Sequence, residues 1–78
     1  MPAPAEPQPE LGAVIRELRE KRRVSQENLA HDAGVTTGTL SSIERGKSNP
    51  TWATVRAIAD ALEVSMGKLV SLVDRQIR

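Results

Sequence analysis

Apolar side chains recur along this chain at helical rather than alternating spacing. Leu11, Val14, Ile15 and Leu18 fall at i, i+3, i+4 and i+7, one stripe of a first helix running to about Lys21 or Arg22. Ser25, a residue type whose hydroxyl accepts from free helical N–H groups, opens a second helix over residues 25–33, with Leu29, Ala30 and Ala33 turned inward. Gly34 ends it, because glycine admits the left-handed backbone of a tight exit. Thr36 caps a third helix over residues 36–45, whose inner positions are Leu40 and Ile43 and whose stop is Arg45-Gly46. The turn Ser48-Asn49-Pro50-Thr51 leads into a fourth helix with Trp52 near its start, Val55, Ile58, Ala59 and Leu62 inside, and an end at Glu63-Val64. Ser65 caps a fifth over residues 65–77, in which Leu69, Val70, Leu72, Val73 and Ile77 cover more of the circumference than one core contact needs.

Ahead of these elements, Pro2, Pro4, Pro7 and Pro9 remove backbone donors so often that neither helix nor sheet can form. Residues 1–9 are therefore expected to be a disordered, proline-rich arm, and residues 10–78 a single all-α domain. A chain of 78 residues buries barely enough surface to stay folded alone, so dimerisation would help it. Without cysteine there is no disulfide framework, and the one histidine, His31, cannot form a metal site by itself. No Ser-His-Asp or Cys-His grouping, phosphate-binding loop or GxGxxG is present, so the chain reads as neither an enzyme nor a cofactor carrier. Apolar runs fall far below the roughly 20 residues of a membrane span, and the expected location is the cytoplasm, in association with nucleoid DNA. The formal charge of +1 is uninformative, but its distribution is not: Arg16, Arg19, Lys21, Arg22 and Arg23 cluster, and Arg45 and Lys47 flank a turn.

Two short helices joined by a glycine turn, the second rich in small polar side chains, form the arrangement that enters a DNA major groove. In Leu11-Gly12, Ile15-Arg16, Leu18-Arg19, Ser25-Gln26-Glu27-Asn28-Leu29-Ala30, Ala33-Gly34-Val35, Leu40-Ser41-Ser42-Ile43-Glu44-Arg45-Gly46-Lys47 and Asn49-Pro50-Thr51 the chain resembles the Cro/CI-type (XRE-like) helix-turn-helix family. The resemblance covers about Leu11 to Leu72 and implies a five-helix, lambda-repressor-like domain with helix three in the groove and helix two across the phosphate backbone. It implies that Gln26 meets a phosphate, a role suited to the positive end of a helix. It also implies that Thr37, Gly38 and Ser42 face base edges.

Thr36, Thr39 and Ser41 complete a hydroxyl-rich face around Leu40 and Ile43. None of these side chains makes the bidentate contacts of Arg, Asn or Gln, so direct base readout should be weak. Arg45, Lys47 and the turn Ser48-Asn49 are expected at phosphates, Lys47 as a flexible point charge and the turn through its backbone N–H donors; such contacts fix register without reading sequence. Arg19 and Glu44 match a family pair that bridges helix one to the end of helix three. Where many relatives have glycine before the second helix, this chain has Arg23; either the turn differs or left-handed strain of about 1–2 kcal/mol is accepted.

The surplus apolar residues Leu69, Leu72, Val73 and Ile77, with Val64, are the expected homodimer interface, which would let two copies read half-sites about 34–36 Å apart on a pseudo-palindromic operator. The expected partner is thus double-stranded DNA, with no cofactor, membrane or small-molecule ligand. The rival reading is a protein-interaction module, such as an antitoxin, built on the same fold.

Overall fold

The computed structural model describes residues 8–77 of the chain. Within them the five expected helices form: α1 (Pro9–Lys21), α2 (Gln26–Ala33), α3 (Thr37–Glu44), α4 (Trp52–Ala61) and α5 (Met66–Ile77). The arm expected over residues 1–9 lies outside the described residues as far as residue 7. Pro9, assigned to that arm, is instead the first residue of α1, where its fixed φ suits the helix and its missing N–H has no intrahelical role. The fourth helix stops at Ala61, earlier than Glu63-Val64, because Leu62 caps it and Glu63 turns left-handed.

Each helix contributes a fully buried aliphatic side chain to one core: Ile15 from α1, Leu29 from α2, Leu40 and Ile43 from α3, Ile58 from α4 and Leu69 from α5, joined by Leu62. Within this core α1 packs on α3 and α5, and α2 packs on α3 and α4. The α1–α3 contact depends on Gly12. A methyl group there would sit 2.1 Å from the Ile43 carbonyl oxygen, so no larger residue fits without parting the two helices. Gly46, at φ +70°, does double duty. It supplies a left-handed turn, and its lack of a side chain lets Pro9 approach, since a methyl group there would lie 2.8 Å from the Pro9 Cα.

Three connectors share one plan. Arg23-Val24-Ser25, Gly34-Val35-Thr36 and Glu63-Val64-Ser65 each present a left-handed residue, then a valine, then a hydroxyl residue at the head of the next helix. The valine N–H closes the preceding helix by bonding five residues back, Val24 to Arg19 O at 3.2 Å, Val35 to Ala30 O at 2.9 Å and Val64 to Ala59 O at 3.0 Å. Its side chain packs on the core. The hydroxyl then accepts from the backbone three residues on: Ser25 from Asn28 N at 3.0 Å, Thr36 from Thr39 N at 3.0 Å and Ser65 from Lys68 N at 3.0 Å. Arg23 (φ 56°) and Glu63 (φ 59°) adopt the left-handed conformation without being glycine, so the turn does not differ and the strain is accepted. The two strained turns are tied together: Arg22 donates to the Leu62 carbonyl at 3.1 Å and pairs with the Glu63 carboxylate.

Among the described residues no helix is long and apolar enough to cross a membrane, and no group of three or more His, Asp or Glu could hold a metal ion.

Candidate nucleic-acid interface

Leu40, Ile43 and Glu44 are buried, which fixes the rotation of α3 and leaves its other side outward. On that outer side Thr36, Thr37, Gly38 and Thr39 are exposed, and Ser41 and Ser42 are half-buried. The hydroxyls of Thr36 and Thr39 are linked at 2.9 Å, so the cap is also a small polar knob at the start of the helix. Gly38 faces open space: a methyl group there would meet only Thr36 Oγ1, at 3.9 Å. The fold therefore has no internal need of glycine at this position. Past the end of α3, Arg45, Lys47 and Asn49 are exposed, and Arg45 Nε donates to the Ser41 carbonyl at 3.3 Å, which lays its side chain back along the helix.

The Ser48 hydroxyl oxygen is buried and without a hydrogen-bond partner, so its side chain does not face outward with its neighbours, and the part of Ser48 open to an external phosphate is the backbone.

Gln26, Arg19 and Glu44 come together in one network. Arg19 Nε lies 2.7 Å from Glu44 Oε2 and Arg19 Nη2 lies 3.0 Å from Oε1, a bidentate pair in which the carboxylate is almost wholly buried. Arg19 Nη1 donates to the Val24 carbonyl at 2.9 Å, and Gln26 Nε2 donates to Glu44 Oε1 at 3.0 Å. One carboxylate thus joins the end of α1, the start of α2 and the end of α3. The Arg19 guanidinium is held above its ordinary pKa, first by its hydrogen bonding to Glu44, against desolvation, which pulls the other way. A raised cationic pKa contributes stabilisation while the guanidinium is charged, and this is lost as pH rises through the folded-state value, in strong alkali. The family resemblance paired Arg19 with Glu44 but did not place Gln26 on the same carboxylate. Its spacing from Glu44 carries no local signal.

The five residues expected at a dimer interface divide. Leu69 is corrected outright: it is 0% exposed, a core residue of its own subunit that no partner can reach. Val64, Leu72 and Val73 are half-buried against that core, and Ile77 is 63% exposed. The exposed apolar residues of α5 are Val70, at 52%, and Ile77, in a stripe with the half-buried Met66 and Val73, and Trp52 of α4 lies 65% exposed. Trp52, Met66, Val70 and Val73 line one shallow groove of about 210 Å³ together with Leu11 and Pro50. The i, i+4, i+7, i+11 spacing of the α5 residues was visible in the sequence, but which flank faces in depended on how α5 docks.

A model of the helix-turn-helix domain family matches residues 10–72. The chain is 38% identical over 64 residues to the uncharacterized HTH-type transcriptional regulator y4dJ of Sinorhizobium fredii, covering 82% of this chain and 83% of that protein. It is 33% identical over 60 residues to the immunity repressor protein of Bacillus phage phi105, covering 77% of this chain but 42% of the repressor. The chain thus spans most of one relative and less than half of the other. Among solved structures, the restriction-modification controller protein C.Esp1396I, crystallised as a tetramer with its natural 35 base-pair operator, superposes with a TM-score of 0.84 at 27% identity, covering 90% of this chain and 92% of that one. With the family match spanning nearly the whole described fold, this chain belongs to the helix-turn-helix family of DNA-binding transcriptional regulators, of the Cro/CI (XRE-like) type.

Proposed function

We propose that the protein binds double-stranded operator DNA as a homodimer, with α3 in the major groove, and acts as a repressor or autoregulator of transcription. The observation that carries this reading is the outer face of α3, where exposed Thr37, Gly38 and Thr39 form a small polar ridge flanked by the exposed cations Arg45 and Lys47. Small side chains let a helix sit deep in a groove, and the two cations past the end of α3 suit phosphates bordering it. Glycine in a helix is disfavoured relative to alanine, and nothing inside the subunit calls for it at Gly38, in the first turn of α3. A backbone approach to DNA does. Gln26, at the first position of the eight-residue α2, stands where unpaired N–H groups and the helix dipole favour a phosphate. Thr36, Ser41, Ser42, Asn49 and the backbone of Ser48 complete the contact surface.

The homodimer is assigned to the outward flank of α5, Met66, Val70, Val73 and Ile77, with Trp52 beside it. Single exposed apolar residues need no explanation, but a continuous apolar stripe on a small domain does. A two-fold pair offers one α3 ridge to each half-site of a palindromic duplex. The operator complex of the C.Esp1396I tetramer supports the same use of this fold.

Selection of bound duplexes from random DNA tests the reading. The expected result is a two-fold symmetric site with half-sites one helical turn apart and a log-log salt slope of about 0.9 per phosphate neutralised. Gly38→Ala should raise the melting temperature while weakening DNA binding, and Val70→Glu should yield a helical monomer by sedimentation. Failure to bind any duplex at low salt would leave a protein-directed module instead.

A further inference from the structure

The carboxamide of Gln26 is already held before any ligand is present. Its Nε2 donates one N–H to Glu44 Oε1 at 3.0 Å, and Nε2 carries a second N–H. Glutamine is among the side chains that lose most rotamer freedom when fixed, so a glutamine anchored in advance binds with less entropic penalty. The anchor is itself immobile. Glu44 is buried on α3, and both its oxygens are engaged by Arg19, whose third contact, to the Val24 carbonyl at 2.9 Å, fixes the turn immediately before α2. Charge makes the arrangement workable. A lone carboxylate behind the α2 N-terminus would oppose an approaching phosphate, whereas the bidentate Arg19 cancels it at 2.7 Å and 3.0 Å.

We infer that Glu44, shielded from DNA, is a positioning residue for phosphate binding: it presets the Gln26 carboxamide at the head of α2, with Arg19 neutralising its charge. The inference rests on the operator-binding reading above, and it joins the end of α3 to the phosphate grip of α2, so that seating of the groove helix and anchoring on the backbone form one rigid unit.

The test measures affinity for a selected operator duplex at a temperature where circular dichroism shows each variant folded. The proteins are the wild type, Gln26→Ala, Glu44→Gln and the double variant, each also assayed on duplexes carrying a single methylphosphonate at successive positions. The wild type should lose about tenfold in affinity at one phosphate in each half-site, the scale of one hydrogen bond to a charged group. Gln26→Ala and Glu44→Gln should both reduce that sensitivity, the backbone N–H groups of α2 supplying what remains, and the double variant should bind no more weakly than Gln26→Ala. Undiminished phosphate sensitivity in Glu44→Gln, or additive losses in the double variant, would overturn the inference while leaving operator binding intact. Should Glu44→Gln not fold, nitrogen relaxation of the wild type decides: the Gln26 carboxamide should be as ordered as the backbone, unlike that of the exposed Gln76, and equal mobility of the two refutes the preset. Absence of wild-type binding to every duplex removes the operator reading itself.

Discussion

The turn between α1 and α2 and the turn between α2 and α3 follow the same backbone plan, yet they are secured in different ways. At the first, the left-handed residue is Arg23, the Val24 carbonyl is held by Arg19, and Arg22 reaches across to Leu62 and Glu63. At the second, the left-handed residue is Gly34, with nothing within 4 Å of where its side chain would stand. One turn carries conformational strain and is cross-linked against it. The other has no strain to resist, and glycine is the whole of its solution. The difference shows that a left-handed helix exit is a requirement of geometry, which a protein meets either by residue choice or by tertiary contacts.

That contrast is broken most severely at Glu44. Glu44→Ala strands Arg19 and releases both Val24 and Gln26, and should lower stability by about 3–5 kcal/mol, whereas Glu27→Ala, on the exposed side of α2, should change it by no more than about 0.5 kcal/mol. Thermal or urea unfolding of the pair measures the gap, and comparable losses would mean that the clamp contributes nothing special. Next in size is Gly34→Ala. Space is ample, so the loss of about 1 kcal/mol comes from backbone strain alone, net of the unfolded-state entropy that alanine removes. Arg23→Gly runs the same exchange in reverse and should raise the urea midpoint by the equivalent of about 0.5–1 kcal/mol. A loss at Arg23→Gly would show that its side chain, rather than its backbone, secures the turn. The smallest effect belongs to Glu63→Gly, which relieves the same strain but deletes the partner of Arg22 in a largely exposed ion pair worth about 0–1 kcal/mol, so its net change should be within a few tenths of zero.

Much of this was legible from residue spacing. The five helices follow from apolar positions at 3.6-residue period, and Ser25, Thr36 and Ser65 from the capping chemistry of hydroxyls, because both signals are local. The early end of α4 was harder to see, since Glu63 in a left-handed conformation gives no glycine signal. The recurrence of a residue, then valine, then Ser or Thr at three connectors was the signal available for it. At the candidate interface, the outward hydroxyl face of α3 could be read from the inward Leu40 and Ile43. The burial of the Ser48 hydroxyl and the sharing of Glu44 by Gln26 could not, because each depends on segments brought together from afar.

The order of residues by itself determined the number of helices, the hydroxyl caps at which α2, α3 and α5 begin, the near-absence of charge on the outer side of α3 and the family to which the chain belongs. Period, capping and turn propensity act over only a few residues, so the chain carries them without needing to fold. Tertiary structure alone decided which flank of α5 faces outward, placing Leu69 in the core and Val70 at the surface. It also decided that Gly12 must let the Ile43 carbonyl approach, and that a single buried carboxylate should hold three helices. Those outcomes depend on the angle and depth at which helices dock, which is set by the mutual fit of side chains remote in sequence.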